Sequence, residues 1–211
     1  MLDRAARRLV GPALLSLVPI ADKLGLSANR LTQLGFVFGL GAVVAIANGN
    51  YVIGLVFILF NRLCDGLDGE VARAHRPTDL GGYLDIVADF LFYAGVIFAF
   101  ALADSKNAVV ASFVLFSFIG TGTTFLAFAV FAAKHRLQQA EHRGRAFYYL
   151  GGLTEGTETL LFFIIICLWP SFFRPLGALF GFLCLITTIV RVAAALQALR
   201  LPRHSDFSSE Q

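Results

Sequence analysis

Charge is what this sequence has least of. Only 15% of its 211 residues are Asp, Glu, Lys or Arg, and 57% are hydrophobic, whereas a soluble domain is about a quarter charged and about half apolar. The mean hydropathy is +0.75, an excess too large for a soluble core of this length. Cysteine is scarce as well. Cys64, Cys167 and Cys184 stand far apart in apolar runs, which fits small buried residues and excludes a disulfide framework. The four histidines have no ligand spacing, so a zinc site is not expected. No dense basic patch accompanies the net charge of +3, which argues against nucleic acid as a partner. The N-terminal stretch is basic and amphipathic without a long uninterrupted apolar core, so no cleavable signal peptide is expected. The apolar runs are continuous rather than alternating, which excludes a transmembrane β-barrel.

What is there in quantity is long apolar sequence. A bilayer span needs about 20 mostly apolar residues, and six candidates follow one another at residues 28–48, 51–74, 79–103, 107–134, 153–169 and 172–200. Ser27 is placed to cap the first, Asn48-Gly49-Asn50 closes it, His75-Arg76-Pro77-Thr78 turns the chain between the second and third, and Pro170 ends the fifth. Gly35, Gly39 and Gly41 suggest close packing of the first span. Residues 1–27 form an amphipathic segment suited to the membrane interface, with Leu2, Leu9, Leu14, Leu15 and Leu17 toward lipid and Arg4, Arg7 and Arg8 toward headgroups. Pro12 and Pro19 are expected to interrupt it. The fold class is therefore all-α: a polytopic membrane protein with six transmembrane helices in one domain over 28–200, and a disordered polar tail over 201–211. Thirteen basic residues fall on the side of both termini (Arg4, Arg7, Arg8, Lys23, Arg30, Arg73, Arg76, Lys134, Arg136, Arg143, Arg145, Arg200 and Arg203) and two, Lys106 and Arg174, on the other. That asymmetry puts both termini in the cytoplasm.

An ionisable group inside a membrane costs about 2.5–3.5 kcal/mol on insertion scales, yet Asp65, Asp68, Glu70, Asp85, Asp89, Glu155 and Glu158 lie in or near spans. Asp65 and Asp68 share a helical face, as do Asp85 and Asp89. Two antiparallel helices joined by a short loop bring these four to one level, at matching depths from the cytoplasmic ends. Four clustered carboxylates cannot all stay ionised without cations, and an all-oxygen set suits Mg²⁺, Mn²⁺ or Ca²⁺. Paired metals of this kind serve phosphoryl transfer. Gly66, Gly69 and Ala72 leave room for a nucleotide to approach the backbone, and Arg73 can reach a phosphate.

The pattern D-x-x-D-G-x-x-A-R followed by G-x-x-x-D-x-x-x-D, read here as Asp65, Asp68, Gly69, Ala72, Arg73, Gly81, Asp85 and Asp89, resembles the signature of the CDP-alcohol phosphotransferase family. One departure is present: seven residues separate Arg73 from Gly81 where the family has eight. The stretches F-Y-Y-L-G at 147–151 and G-L-T-E-G-T-E-T at 152–159 resemble small bacterial inner-membrane members. The resemblance implies a site with two divalent cations, Mg²⁺ or Mn²⁺, on Asp65, Asp68, Asp85 and Asp89. It makes Asp89 also the base that deprotonates the acceptor hydroxyl, and Gly69, Ala72, Arg73 and Gly81 the nucleotide-binding residues. CDP-diacylglycerol is the implied donor, CMP the leaving group, and a homodimer is common among relatives. Asn29 and Thr32 in S-A-N-R-L-T resemble the family's P-N-x-L-T, with Ala28 in place of Pro.

The acceptor is less defined. Arg143 and Arg145 could clamp its phosphate or simply reflect positive-inside bias. Glu155, Glu158 and Arg191 could line its pocket or form a buried ion pair, and Thr154, Thr157 and Thr159 could bind polyol hydroxyls or pack helices. Arg62 is expected to pair with a nearby acid or carbonyl. Glycerol 3-phosphate or another small polyol phosphate is the favoured acceptor. The alternatives are a cardiolipin-synthase-type transferase using phosphatidylglycerol, a cation-binding membrane transporter, and a non-catalytic lipid-binding scaffold.

Overall fold

The computed structural model describes residues 2–134 and 154–200. Arg143, Arg145 and the tail over 201–211 lie outside the described residues. Those described form seven α-helices and no strand: α1 Leu2–Lys23, α2 Ala28–Ala47, α3 Tyr51–His75, α4 Asp79–Ala103, α5 Ala108–Lys134, α6 Gly156–Leu168 and α7 Phe173–Arg200. Short 3₁₀ turns, Ser105–Asn107 and Pro170–Phe172, lead into α5 and α7. Helices α2, α4, α5 and α7 are long and apolar enough to cross a membrane. Helix α3 carries the acid-rich segment, and α6 has only 13 residues.

The boundaries follow local chemistry. The Ser27 hydroxyl accepts from the Arg30 amide at the start of α2, and the Thr78 hydroxyl accepts from the Gly81 amide at the start of α4. Both satisfy amides that a helix leaves unpaired in its first turn. Gly49 takes φ +77° between α2 and α3, a left-handed conformation that costs glycine nothing. The α3–α4 turn also takes a positive φ, at Arg76 (φ 77°, ψ 119°), and Pro77 then blocks continuation of α3. Helix α1 runs unbroken through Pro12 and Pro19, contrary to the sequence expectation. Both prolines are exposed, so the carbonyls that lose an amide partner face outward, where other donors can reach them.

The core is assembled from six helices. Ile46 of α2, Ile58 of α3, Phe92, Val96 and Phe100 of α4, Val114 of α5, Phe163 of α6 and Phe173 of α7 are all buried in one cluster. Phe100 stacks on Phe173 with ring centres 4.6 Å apart, and Phe162 on Phe180 at 4.3 Å. A second small cluster, Val18, Ala21, Leu31 and Val71, seats α1 on α2 and α3. Leu14 also packs inward, against Gly66, whereas Leu9 and Leu15 remain exposed. Most of the apolar surface of the candidate spans faces outward, including Val37, Val44, Phe116, Ile119 and Ile189. The three cysteines are buried and unpaired.

Close approach of α2 to α3 and α4 depends on two glycines. A Cβ on Gly35 would lie 3.1 Å from Cys64 Cβ, and one on Gly39 would lie 2.9 Å from the Phe92 ring. Gly39→Leu should therefore push α4 away and lower stability by about 1–3 kcal/mol, read as a drop in Tm of the detergent-solubilised protein. An unchanged Tm would contradict the close α2–α4 packing.

Candidate metal centre and nucleotide cleft

Asp65 and Asp68 sit on α3, Asp85 and Asp89 on α4, and the tight turn around Pro77 brings the two pairs together. Carboxylate oxygens of Asp65, Asp85 and Asp89 lie within 4.8 Å of one another. Oxygens so placed can converge on one hard cation, whose bonds to oxygen run from about 2.0 Å for Mg²⁺ to about 2.6 Å for Ca²⁺. The donor set is oxygen only, as Mg²⁺ or Mn²⁺ requires. Asp68 is not within that group of three. It lines the same recess, with Thr32, Gly35, Asn61, Arg62 and Ala88, and is buried with its Oδ2 accepting from the Thr32 hydroxyl at 2.6 Å.

Beside the recess lies a cleft of about 830 Å³ between the α1–α2 turn, the end of α3 and the start of α4. Its size is that of a small-molecule site. Thr32, Asp68 and Asp85 line both spaces. Gly69, Ala72, Arg73 and Gly81, the residues expected to bind nucleotide, all line the cleft, together with Asn29, Arg76 and Gly82. Residues 65, 68, 69, 72 and 73 share one helical face because they recur at three- and four-residue intervals. Gly66 does not line the cleft: a Cβ there would lie 2.8 Å from the Leu14 side chain. Its small size serves the packing of α1 rather than nucleotide approach, a correction to the sequence reading. A Cβ on Gly81 would lie 2.9 Å from Asn29 Oδ1, so that glycine lets the α4 N-terminus approach α2. Arg73 pairs with Glu70 at 2.5 Å and is more than half exposed. His75 meets Asp22 at 2.8 Å and ties α1 to α3 at the rim.

Sequence reasoning missed how completely Arg62 is engaged. Its Nη2 donates to Asp89 Oδ1 at 2.6 Å, its Nη1 donates to Tyr93 at 2.9 Å and lies 3.4 Å from Asp65 Oδ2, and its Nε donates to Asn61 at 2.8 Å. The charge in the span was visible in the sequence. Its three-residue offset from Asp65 was the available signal that the two could meet.

The residues expected around an acceptor are placed as follows. Glu155 caps α6, and its side chain and that of Glu158 form a capping box, with Glu158 Oε2 accepting from the Glu155 amide at 3.1 Å. Arg191 of α7 donates to the Thr121 carbonyl of α5 at 3.1 Å, and its buried Nε has no hydrogen-bond partner among the described residues. Thr154 meets Thr187 at 3.0 Å, and Thr159 donates to the Glu155 carbonyl.

The profile of the CDP-alcohol phosphatidyltransferase family matches residues 25–196. Inner membrane protein YnjF of Escherichia coli (strain K12) is 50% identical over 193 residues, covering 91% of this chain and 94% of that protein. Archaetidylinositol phosphate synthase of Methanothermobacter thermautotrophicus is 39% identical over 74 residues, 35% of this chain and 38% of that one. Phosphatidylinositol phosphate synthase of Mycobacterium tuberculosis, crystallised with CDP-DAG bound, shares the fold at a TM-score of 0.62 and 20% identity, over 86% of this chain and 92% of that one. A second crystal structure of that enzyme, with manganese and citrate, gives a TM-score of 0.63 at 20% identity, over 87% of this chain and 88% of that one.

Proposed function

This chain belongs to the CDP-alcohol phosphatidyltransferase family and is a transferase of phospholipid synthesis, and on that premise we propose that it moves the phosphatidyl group of CDP-diacylglycerol to a small polyol phosphate such as glycerol 3-phosphate, releasing CMP. The observation that carries this reading is that Thr32, Asp68 and Asp85 line both the acidic recess and the cleft that Gly69, Ala72, Arg73 and Gly81 face. A cytidine diphosphate seated in that cleft would meet Asp68 and Asp85 at its inner end. The M. tuberculosis relative, whose structures carry CDP-DAG in one case and manganese in the other, supports the donor and the kind of cofactor.

Asp65, Asp68, Asp85 and Asp89 are the proposed ligands of two divalent cations, Mg²⁺ or Mn²⁺. Such cations supply neutralising charge for the carboxylates and the diphosphate, and polarise the phosphorus under attack. Asp89 takes the proton from the acceptor hydroxyl. The acceptor oxygen then bonds to the phosphorus that carries the diacylglycerol, the bond from that phosphorus to the bridging oxygen breaks, and CMP leaves with the electron pair. Arg73, exposed at the cleft, meets phosphate in exchange for part of its contact with Glu70. Thr32 holds Asp68 in place through its hydroxyl.

Membrane placement belongs to the same proposal. Helices α2–α7 are six spans and α1 is an interfacial helix. Both termini and the cleft face the cytoplasm, across a bacterial inner membrane. The distribution of basic residues supports the sidedness, and the description of YnjF as an inner membrane protein supports the compartment. Helix α3 is less apolar than its neighbours because it bears Arg62 and the acids that the metals would neutralise. Arg143, Arg145, Arg191, Glu155 and Glu158 are the proposed acceptor-binding residues. The unpartnered Nε of Arg191 supports an anionic group there.

Purified protein given CDP-diacylglycerol, Mn²⁺ and a panel of alcohols should release CMP with a phosphorylated polyol, the new lipid being identified by mass. Asp89→Asn should slow that release by at least about a hundredfold and weaken Mn²⁺ binding while the protein stays folded; retained activity would remove Asp89 as the base. Neutralising Arg143 and Arg145 together to Gln should raise KM for the acceptor and leave KM for the donor unchanged. An unaltered acceptor KM would contradict the phosphate-clamp role.

A further inference from the structure

Arg62 is a fixed cation among the acids rather than a passing contact. All three of its nitrogens are engaged, and its partners lie on two helices: Asn61 and Asp65 on its own, Asp89 and Tyr93 on α4. Asn61 is itself pinned, donating to the Gly35 carbonyl of α2 at 2.8 Å. The guanidinium also lies over the Phe92 and Tyr93 rings, 4.8 and 5.1 Å from their centres. Its side chain is 14% exposed. A guanidinium held on every edge cannot leave without unpairing several buried groups. It lies three residues ahead of the D-x-x-D motif and is no part of it.

Two consequences follow from charge alone. Removal of Arg62 leaves Asp65 and Asp89 facing each other with no positive group between them, so α3 and α4 repel when divalent cation is scarce. With Arg62 in place, the carboxylates present a weaker negative potential to an incoming cation than they otherwise would. Building on the metal centre proposed above, we propose that Arg62 is a resident counter-cation. It remains anchored between Asp65 and Asp89, lowers the affinity of the centre for divalent cations, and keeps α3 and α4 joined in their absence. A loaded centre that retains this extra positive charge is also suited to an anionic diphosphate donor. Arg62 is thus a positioning residue that acts on the carboxylates.

The test is Mn²⁺ affinity, from electron paramagnetic resonance of the free ion, together with Tm in chelator and in saturating Mn²⁺. Wild-type protein, Arg62→Gln and Arg62→Lys are compared. Arg62→Gln should bind Mn²⁺ at least about tenfold more tightly, melt lower than wild type in chelator, and gain more in Tm from Mn²⁺. Arg62→Lys keeps the charge and should stay within about threefold of the wild-type Kd; it decides the matter if Arg62→Gln does not fold. Equal or weaker Mn²⁺ binding by Arg62→Gln overturns the inference, as does a Kd for Arg62→Lys that moves by tenfold in either direction. A structural role alone predicts lower Tm with unchanged Kd. If wild-type protein binds no Mn²⁺, the metal-centre reading itself falls, a failure distinct from those.

Discussion

Carboxylates from two neighbouring helices meet within a few ångströms inside a bundle built mostly of hydrocarbon, and their mutual repulsion must be answered for the rest of the structure to hold. Arg62 answers part of it by bridging Asp65 and Asp89. Thr32 answers another part by donating to Asp68. Through Asn61 and the Gly35 carbonyl, the same network reaches α2. Three helices are therefore tied at the depth of the acids by polar contacts. Such contacts are stable only when nearly every donor and acceptor is used.

That arrangement explains the shape of the site above it. The α3–α4 turn must be tight enough to bring two acid pairs to one level, and it meets that demand with the positive φ at Arg76 followed by Pro77 and the Thr78 cap. With seven residues between Arg73 and Gly81, Asp85 and Asp89 still meet Asp65. The cleft forms where this turn, the α1–α2 turn and α2 leave a gap. Small residues face it along α3, and Gly81 lets the start of α4 close against Asn29. Helix α1 forms one wall, fastened by His75 on Asp22 and by Leu14 over Gly66.

Much of this was legible in the sequence because it rests on short-range rules. Ser27 as a cap, Asn48-Gly49-Asn50 as a stop, the turn around Pro77 and the end of α6 before Pro170 all appear where local chemistry put them. The acids were legible because three- and four-residue spacing fixes a helical face. What remained hidden depends on neighbours far along the chain. Gly66 has the same composition signal as Gly69, yet it packs against Leu14 of α1, a neighbour that spacing along α3 does not reveal. Pro12 and Pro19 carry a strong breaking signal, but α1 continues through both, since its packing on α3 offsets the lost hydrogen bonds. Glu155 escaped recognition as a cap because glutamate is not among the preferred capping residues. Arg62 was visible as a buried charge, but its simultaneous reach to Asp65, Asp89 and Tyr93 exists only once α3 and α4 are paired.

The most direct measurement is diffraction from crystals grown with Mn²⁺, recorded at the manganese absorption edge. Anomalous peaks between α3 and α4, within coordination distance of Asp65, Asp68, Asp85 and Asp89, are the expected result. Peaks absent from that recess, or found only at surface carboxylates elsewhere, would contradict the assignment of these residues as a metal centre.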